Sequence, residues 1–250
     1  MKLLLVADLH YTLRQWDWLG PAAERFDLVI VAGDLLDIGS IVPLDTQIVV
    51  TRKYLHLLAA KNTLLVSSGN HDVLSPAQGT EKSAAWLQQD RGPQLHVDGD
   101  HFTHGDLFFS ILPWWDGPLT QKNIHRQLVA QAPLAEGKRW VWIYHPPPRS
   151  TAVSWDGKND FGDEFLGGWI RHYRPEMVLG GHIHNAPFVK DGSWIDSVDG
   201  CWVFNGGRQP GGVPTFTVID TDKQHATWIA NEDAGQAILR EPLTREPLDD

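Results

Sequence analysis

The sequence predicts an α/β fold, and three observations carry that prediction. Continuous apolar runs at 2–7, 27–32 and 62–67 have the pattern of strands buried on both faces. Helical patterns separate them, at 12–25 and at 45–60, the second with Ile48, Tyr54, Leu55 and Leu58 apolar near helical spacing. Strand, helix, strand, helix, strand is the grammar of an α/β domain. The third observation is a change of grammar further on, where short strands follow one another across Asp-Gly and His-Gly turn signals.

The elements read in order as follows. After the third strand, 81–89 reads as a helix. Short strands follow at 94–98, 101–103 and 106–112, then a helix at about 119–132. Residues 139–144 (RWVWIY) read as a strand, 161–173 as a helix and 176–179 as a strand. The last part reads as antiparallel strands at 187–190, 193–196, 201–205, 215–220 and 225–230. These are two sheets' worth of strands with helices around them. No boundary stands out, so the whole chain, 1–250, is expected to be a single domain with its core at about 2–230. The segment beyond Asn231 is polar with two prolines and is expected to be loosely packed.

Composition narrows the class. The chain has 250 residues, 42% of them hydrophobic, enough for a sizeable core. Net charge is −10, and the 21 Lys and Arg form no stripe, which disfavours duplex nucleic acid as a partner. A small phosphorylated substrate stays compatible, because a bound cation overrides the global sign locally. The N-terminal apolar run is cut by Asp8 and His10, and no apolar segment approaches the ~18 residues of a membrane span. Cys201 is the single cysteine, so no internal disulfide is available. The expectation is a cytoplasmic protein without a membrane partner; oligomeric state is not legible.

Polar residues end the apolar runs. The first runs into Asp8-Leu9-His10, the second into Gly33-Asp34-Leu35-Leu36-Asp37 and the third into Gly69-Asn70-His71-Asp72. The run at 139–144 meets His145-Pro146-Pro147, and the run at 176–179 meets Gly180-Gly181-His182-Ile183-His184. One Asp at a strand end is commonly a helix cap. Five such clusters at strand ends, where open α/β sheets bind ligands, are poorly explained by capping. His56, His96, His101, His104, His125, His172 and His225 lack this setting and read as surface or turn residues.

The order DxH, GDxxD, GNHD, a lone His and GHxH resembles the calcineurin-like metallophosphoesterase superfamily, over about residues 2–220. The resemblance implies a four-layer αββα sandwich of two mixed β-sheets flanked by helices. It implies Asp8, His10, Asp34 and His184 as ligands of one metal, and Asp34, Asn70, His145 and His182 as ligands of the other. Asp34 would bridge them. The nitrogen and oxygen set without thiolate suits two divalent transition-metal ions, Mn, Fe, Zn or Co. The implied reaction is in-line attack on a phosphate ester by a hydroxide shared between the metals. His71 resembles the residue that protonates the leaving oxygen or hydrogen-bonds the phosphate, and Asp37 would orient it and favour its protonated form. Asp72 reads equally as a cap.

The GNHD form and His145-Pro146-Pro147 resemble the cyclic-nucleotide-type phosphodiesterase branch, with Tyr144 in place of the first His of its HHPP. A small-molecule phosphodiester is therefore the expected substrate. A phosphomonoesterase or nuclease of the same superfamily, or a non-catalytic metal-braced binding module, are the alternatives. Trp114 and Trp115, paired before a helix, suit sheet–helix packing better than stacking on a ring. Gly206-Gly207-Arg208 stands where many members have Pro-Gly-Ser, which leaves the role of Arg208 open.

Overall fold

The structure, a computed structural model, describes residues 1–75 and 81–247. Its first sheet has the strand order β14-β13-β12-β11-β1-β2-β3-β4. Here β1 (Lys2–Val6), β2 (Leu28–Ala32), β3 (Leu64–Ser67) and β4 (Leu95–Val97) run parallel. The other half, β11 (Phe216–Asp220), β12 (His225–Ile229), β13 (Ala234–Ile238) and β14 (Thr244–Pro247), is an antiparallel meander joined to β1. The second sheet has the order β5-β6-β7-β8-β10-β9. Its β6 (Leu107–Ile111), β7 (Arg139–Ile143), β8 (Met177–Gly180) and β10 (Cys201–Asn205) are parallel. The edges β5 (His101–His104) and β9 (Ile195–Val198) are antiparallel.

The continuous apolar runs are explained by burial on both faces. Successive strand residues point to opposite sides. Leu3, Leu5, Leu28, Ile30 and Leu65 pack between the sheets against Phe109, Val141, Ile143 and Leu179. Their neighbours Leu4, Val6, Val29 and Val31 pack outward against Trp16, Leu19, Leu55 and Leu58 of α1 (Leu13–Ala23) and α2 (Leu44–Ala59). On the far side, Trp140, Trp142, Val178 and Val203 meet α4 (Pro118–Gln131) and α5 (Leu166–Tyr173) through Ile124, Leu128, Leu166 and Ile170. Two mixed sheets face to face with helices outside make the four-layer αββα sandwich that the sequence predicts. Among the described residues no helix is long and apolar enough to cross a membrane.

Four expected elements differ. The helix at 81–89 shrinks to α3 (Ala85–Gln88), because Ser83 exchanges backbone hydrogen bonds with Leu74. Glu81 instead accepts the Leu119 and Thr120 N–H groups at the start of α4. The helix expected from 161 begins only at Leu166: residues 161–163 are tied to Pro147 and Ser154, and Asp163 Oδ1 accepts the Phe165 and Leu166 N–H groups. The segment 187–190 is no strand; a short helical turn, Ala186–Phe188, occupies its start. The strand expected at 193–196 is shifted to Ile195–Val198, since the Ser193 N–H bonds Ala152.

The expectation of a loosely packed segment beyond Asn231 is also corrected. β13 pairs along its length with β12, and β14 pairs with β13. Ala237 and Leu239 are buried in the inter-sheet core beside Trp194 and Trp228. Leu239→Ala is therefore expected to lower stability by ~2–4 kcal/mol in denaturant unfolding. A loose tail would give a change within ~0.5 kcal/mol.

Candidate metal centre

The sandwich gathers the carboxyl ends of five parallel strands at one rim. Asp8 and His10 follow β1, Asp34 follows β2, and Asn70 and His71 follow β3. From the second sheet, His145 follows β7 and His182 and His184 follow β8. The chain does not run straight out of these strands. Asp8, His10, Asp34 and His182 all adopt left-handed backbone conformations, at φ of 56°, 42°, 54° and 79°. Such conformations are costly for non-glycine residues and persist where the surroundings over-determine them. Here the Asp8 and His10 N–H groups donate to Gly33 and Asp34 carbonyls (3.0 and 2.9 Å), and Gly181 N–H donates to His145 (2.8 Å).

The side chains converge in three groups, Asp8-His10-Asp34-His184, Asp34-His145-His182 and His10-Asp37-His71, with Asp34 common to the first two and His10 common to the first and third. In the first, His10 Nε2 lies 3.0 Å from His184 Nε2 and 3.4 Å from Asp34 Oδ2, and His184 Nε2 lies 3.3 Å from Asp8 Oδ1. In the second, His145 Nε2 lies 3.2 Å from the same Asp34 Oδ2. Donors around one ion at ~2.1 Å stand ~3.0–3.4 Å apart in octahedral or tetrahedral arrangement. The observed spacings match.

Two further observations fit cations. Asn70 Oδ1 and His145 Nε2 are buried without a hydrogen-bond partner. Orphaned buried acceptors are rare and call for an ion or water. The His145 ring is set from behind, since Nδ1 donates to the Ala32 carbonyl at 2.7 Å, and Nε2 faces the cluster, free to ligate whenever it carries no proton.

The electrostatics point the same way. Burial alone would raise the Asp8 and Asp34 pKa values. The hydrogen bonds of His10 and His184 hold Asp8 well below its usual range, and the field of the buried His145 lowers Asp34. Both are therefore ionised. His145 is buried too, which would lower its pKa, yet the two carboxylates push it up to about 9. Burial and the His145 charge push His182 down to about 4, a neutral imidazole. The carboxylates thus hold positive charge on the group nearest them, the place cations would take.

Side chains around the cluster hold it. Asp72 is fully buried, and its carboxylate accepts the Leu35, Leu36 and Gly69 N–H groups. It ties the loops after β2 and β3 together. Asn205 bonds the Val153 and Ile183 carbonyls and the Gly207 N–H, and the Arg208 N–H donates to His184. Tyr144 points away from the cluster into the outer core, where its hydroxyl donates to Asp163. Its replacement of a histidine therefore removes no ligand. His71 stands beside His10, ring centroids 4.3 Å apart. Its Nδ1 accepts the Ile38 N–H, while Asp37 Oδ1 is 3.9 Å away and accepts the Gly39 N–H. Asp37 thus makes no direct hydrogen bond to His71.

Sequence reasoning missed Gly181, the Asp72 brace and the position of Trp114. A Cβ at Gly181 would sit 2.3 Å from Asp8 Oδ2. The Trp114 ring lies 5.2 Å from His182 and 5.9 Å from His145. The glycine pair before His182 was the available signal for the first, and the capping reading of Asp72 anticipates an acceptor of backbone N–H groups though not that it joins two loops; nothing local signals Trp114.

Glycine is required where backbone presses on a ligand. A Cβ at Gly69 would lie 2.2 Å from Asp34 Oδ1, and one at Gly33, where φ is +87°, would lie 2.4 Å from His145 Nδ1. Gly69→Ala is expected to reduce metal content in elemental analysis and to cost ~1–3 kcal/mol, although it removes no donor. Gly20→Ala, which meets nothing within 4 Å, serves as the comparison. Full metal content in Gly69→Ala would contradict the close-approach reading.

Comparison with known proteins agrees with this geometry. No curated protein matches the sequence. Among solved structures, TT1561 of Thermus thermophilus is similar at 13% identity and a TM-score of 0.59, over 98% of each chain. Purple acid phosphatase PPD1 from yellow lupin (Lupinus luteus) is similar at 13% identity and a TM-score of 0.58, over 100% of this chain and 52% of that one. At such identities the likeness speaks for the fold. The model of the calcineurin-like phosphoesterases matches residues 1–186, the span that carries every candidate ligand in the cluster, and the chain belongs to that family.

Proposed function

We propose that the protein is a dinuclear-metal-dependent phosphodiesterase acting on a small-molecule diester. The observation that carries this reading is Asp34, one carboxylate oxygen standing within 3.4 Å of His10 in one donor set and 3.2 Å of His145 in the other. Asp8, His10, Asp34 and His184 would hold one ion; Asp34, Asn70, His145 and His182 would hold the second. Manganese, iron, zinc or cobalt suits these donors. Two such ions supply Lewis-acid polarisation of the phosphate and a nucleophile of lowered pKa. The diester preference rests on the GNHD and His-Pro-Pro forms, and the exclusion of duplex DNA on the net charge of −10.

The chain's own residues orient the ester. With Nδ1 accepting the Ile38 N–H, the His71 proton resides on Nε2. Burial lowers the His71 pKa first of all; Asp34 and Asp37 act against that shift, and His10 and His145 act with it. His71 therefore serves as a neutral donor to the leaving oxygen and stabilises the charge that develops there. The lower half of the range for positioned acid–base groups, ~10²-fold, is the expected contribution.

Two experiments test the reading. Protein reconstituted with Mn²⁺ should retain two ions per chain in elemental analysis and hydrolyse bis(p-nitrophenyl) phosphate faster than p-nitrophenyl phosphate. One ion or fewer per chain, or a tenfold monoester preference in kcat/KM, would overturn it. His71→Ala should keep both ions and slow an alkyl diester by ~10²-fold, with a smaller loss on a p-nitrophenyl diester, whose leaving group needs little help. Loss of metal, or equal slowing of both substrates, would remove His71 from that role.

A further inference from the structure

A cleft of about 510 Å³ has as one wall Trp114, the ring that stands beside His145 and His182. Trp114, Trp115, Pro146, Arg149 and Phe161 line it. Its size falls in the range of small-molecule sites. Trp114 is also the ring that stands 5.2 Å from His182. Phe161 borders a second, smaller hollow of about 270 Å³ whose other walls include His182 and His184. The metal ligands and the cleft therefore meet across Phe161.

Phe161 is 53% exposed, yet its loop is pinned. Its N–H donates to Ser154 (3.1 Å), Asp163 N–H donates to Pro147 (2.8 Å), and Arg149 N–H donates to Asp163 (3.0 Å). Gly162 is pressed so closely that a Cβ there would sit 2.4 Å from the Arg149 backbone. A large apolar ring held rigidly toward solvent loses little conformational freedom when a ligand covers it. Trp115 is fixed as well, by its Nε1–H bond to Asp163 at 2.7 Å.

The charge of the cleft limits what enters. Asp116, Asp160, Asp163 and Glu164 line it against one cation, Arg149, which lies 3.9 Å from Asp160. A substituent carrying a further phosphate would be repelled. The leaving oxygen goes with its donor His71, which stands against His10, whereas Trp114 stands against His145 and His182. The substituent that stays on phosphorus is the one left to face Trp114 and Phe161.

We propose that this cleft seats the retained substituent of the phosphodiester as an uncharged planar ring, an aryl group or a nucleobase, stacked on Phe161 against the Trp114–Trp115 wall. The proposal rests on the phosphodiesterase reading. Stacking of a base on an aromatic side chain is sequence-tolerant and substantial, so ring-bearing substrates should be preferred over alkyl ones.

Two substrates with the same leaving group isolate the effect: thymidine 5′-(p-nitrophenyl) phosphate and methyl p-nitrophenyl phosphate. The metal-reconstituted protein should favour the thymidine ester by at least about tenfold in kcat/KM, and Phe161→Ala should reduce that ratio by about five- to tenfold. Phe188→Ala, another exposed phenylalanine, packed on Trp228 and outside the cleft, should leave the ratio as it is. A ratio near one, or one that Phe161→Ala does not move, would overturn the proposal. Tryptophan fluorescence titrated with thymidine gives a readout independent of turnover: saturable quenching, weakened in Phe161→Ala, is expected. If neither ester is hydrolysed, the phosphodiesterase reading fails by itself, and the titration decides the cleft, with no saturable binding counting against it.

Discussion

The structure depends on two buried carboxylates held 1% exposed at one rim of a double sheet. Charges are costly to bury and stay so only when paired. Among the described residues, Asp8 and Asp34 have no Lys or Arg in an ion pair with them; their ion-pair partners are the imidazoles of His10, His145 and His184. An imidazole is a cation only when protonated and a metal ligand only when it is not. The same arrangement therefore serves protons or divalent cations, and the donor spacings favour the latter. The calcineurin-like family assignment and the fold agree with that reading.

Everything around the carboxylates holds them in place. The strands deliver the ligands on short loops after their last paired residues, and the left-handed turns at Asp8, Asp34 and His182 redirect the chain into the rim. Glycines at 33, 69 and 181 let backbone touch ligand side chains. Asp72 locks two of the loops together through three N–H groups. The outer helices and the tryptophans of the far layer stiffen the sheets that carry the loops. The neighbouring cleft is built differently, from a pinned loop with Phe161 displayed and Trp114 wedged beside His145 and His182.

Much of this was legible in the sequence for a physical reason. Strands buried on both faces read as unbroken apolar runs, and ligands placed at their ends interrupt those runs with residue types that capping does not explain. Asp8, His10, Asp34, Asn70, His145, His182 and His184 were visible in that way; the structure brings the six carboxylate and imidazole residues among them into the two groups that share Asp34, and Asn70 Oδ1 is buried without a hydrogen-bond partner. The antiparallel strands at 234–247 were not visible. Their sequence, AGQAI followed by a proline-bearing polar stretch, has little strand propensity of its own; pairing with β12 supplies the structure. The distance between His71 and Asp37 was equally hidden, since which N–H reaches Nδ1 depends on the local turn at Ile38. Phe161 looked like the start of a helix, and only the pinning of its loop shows it as a wall of the cleft.

The central claim is that one carboxylate, Asp34, joins two cations. Electron paramagnetic resonance of protein loaded with Mn²⁺ tests it most directly. The account predicts the signal of an exchange-coupled Mn²⁺ pair at full loading, replaced in Asp34→Ala by uncoupled or depleted manganese. A fully loaded wild-type protein that shows only isolated, uncoupled Mn²⁺ would contradict it.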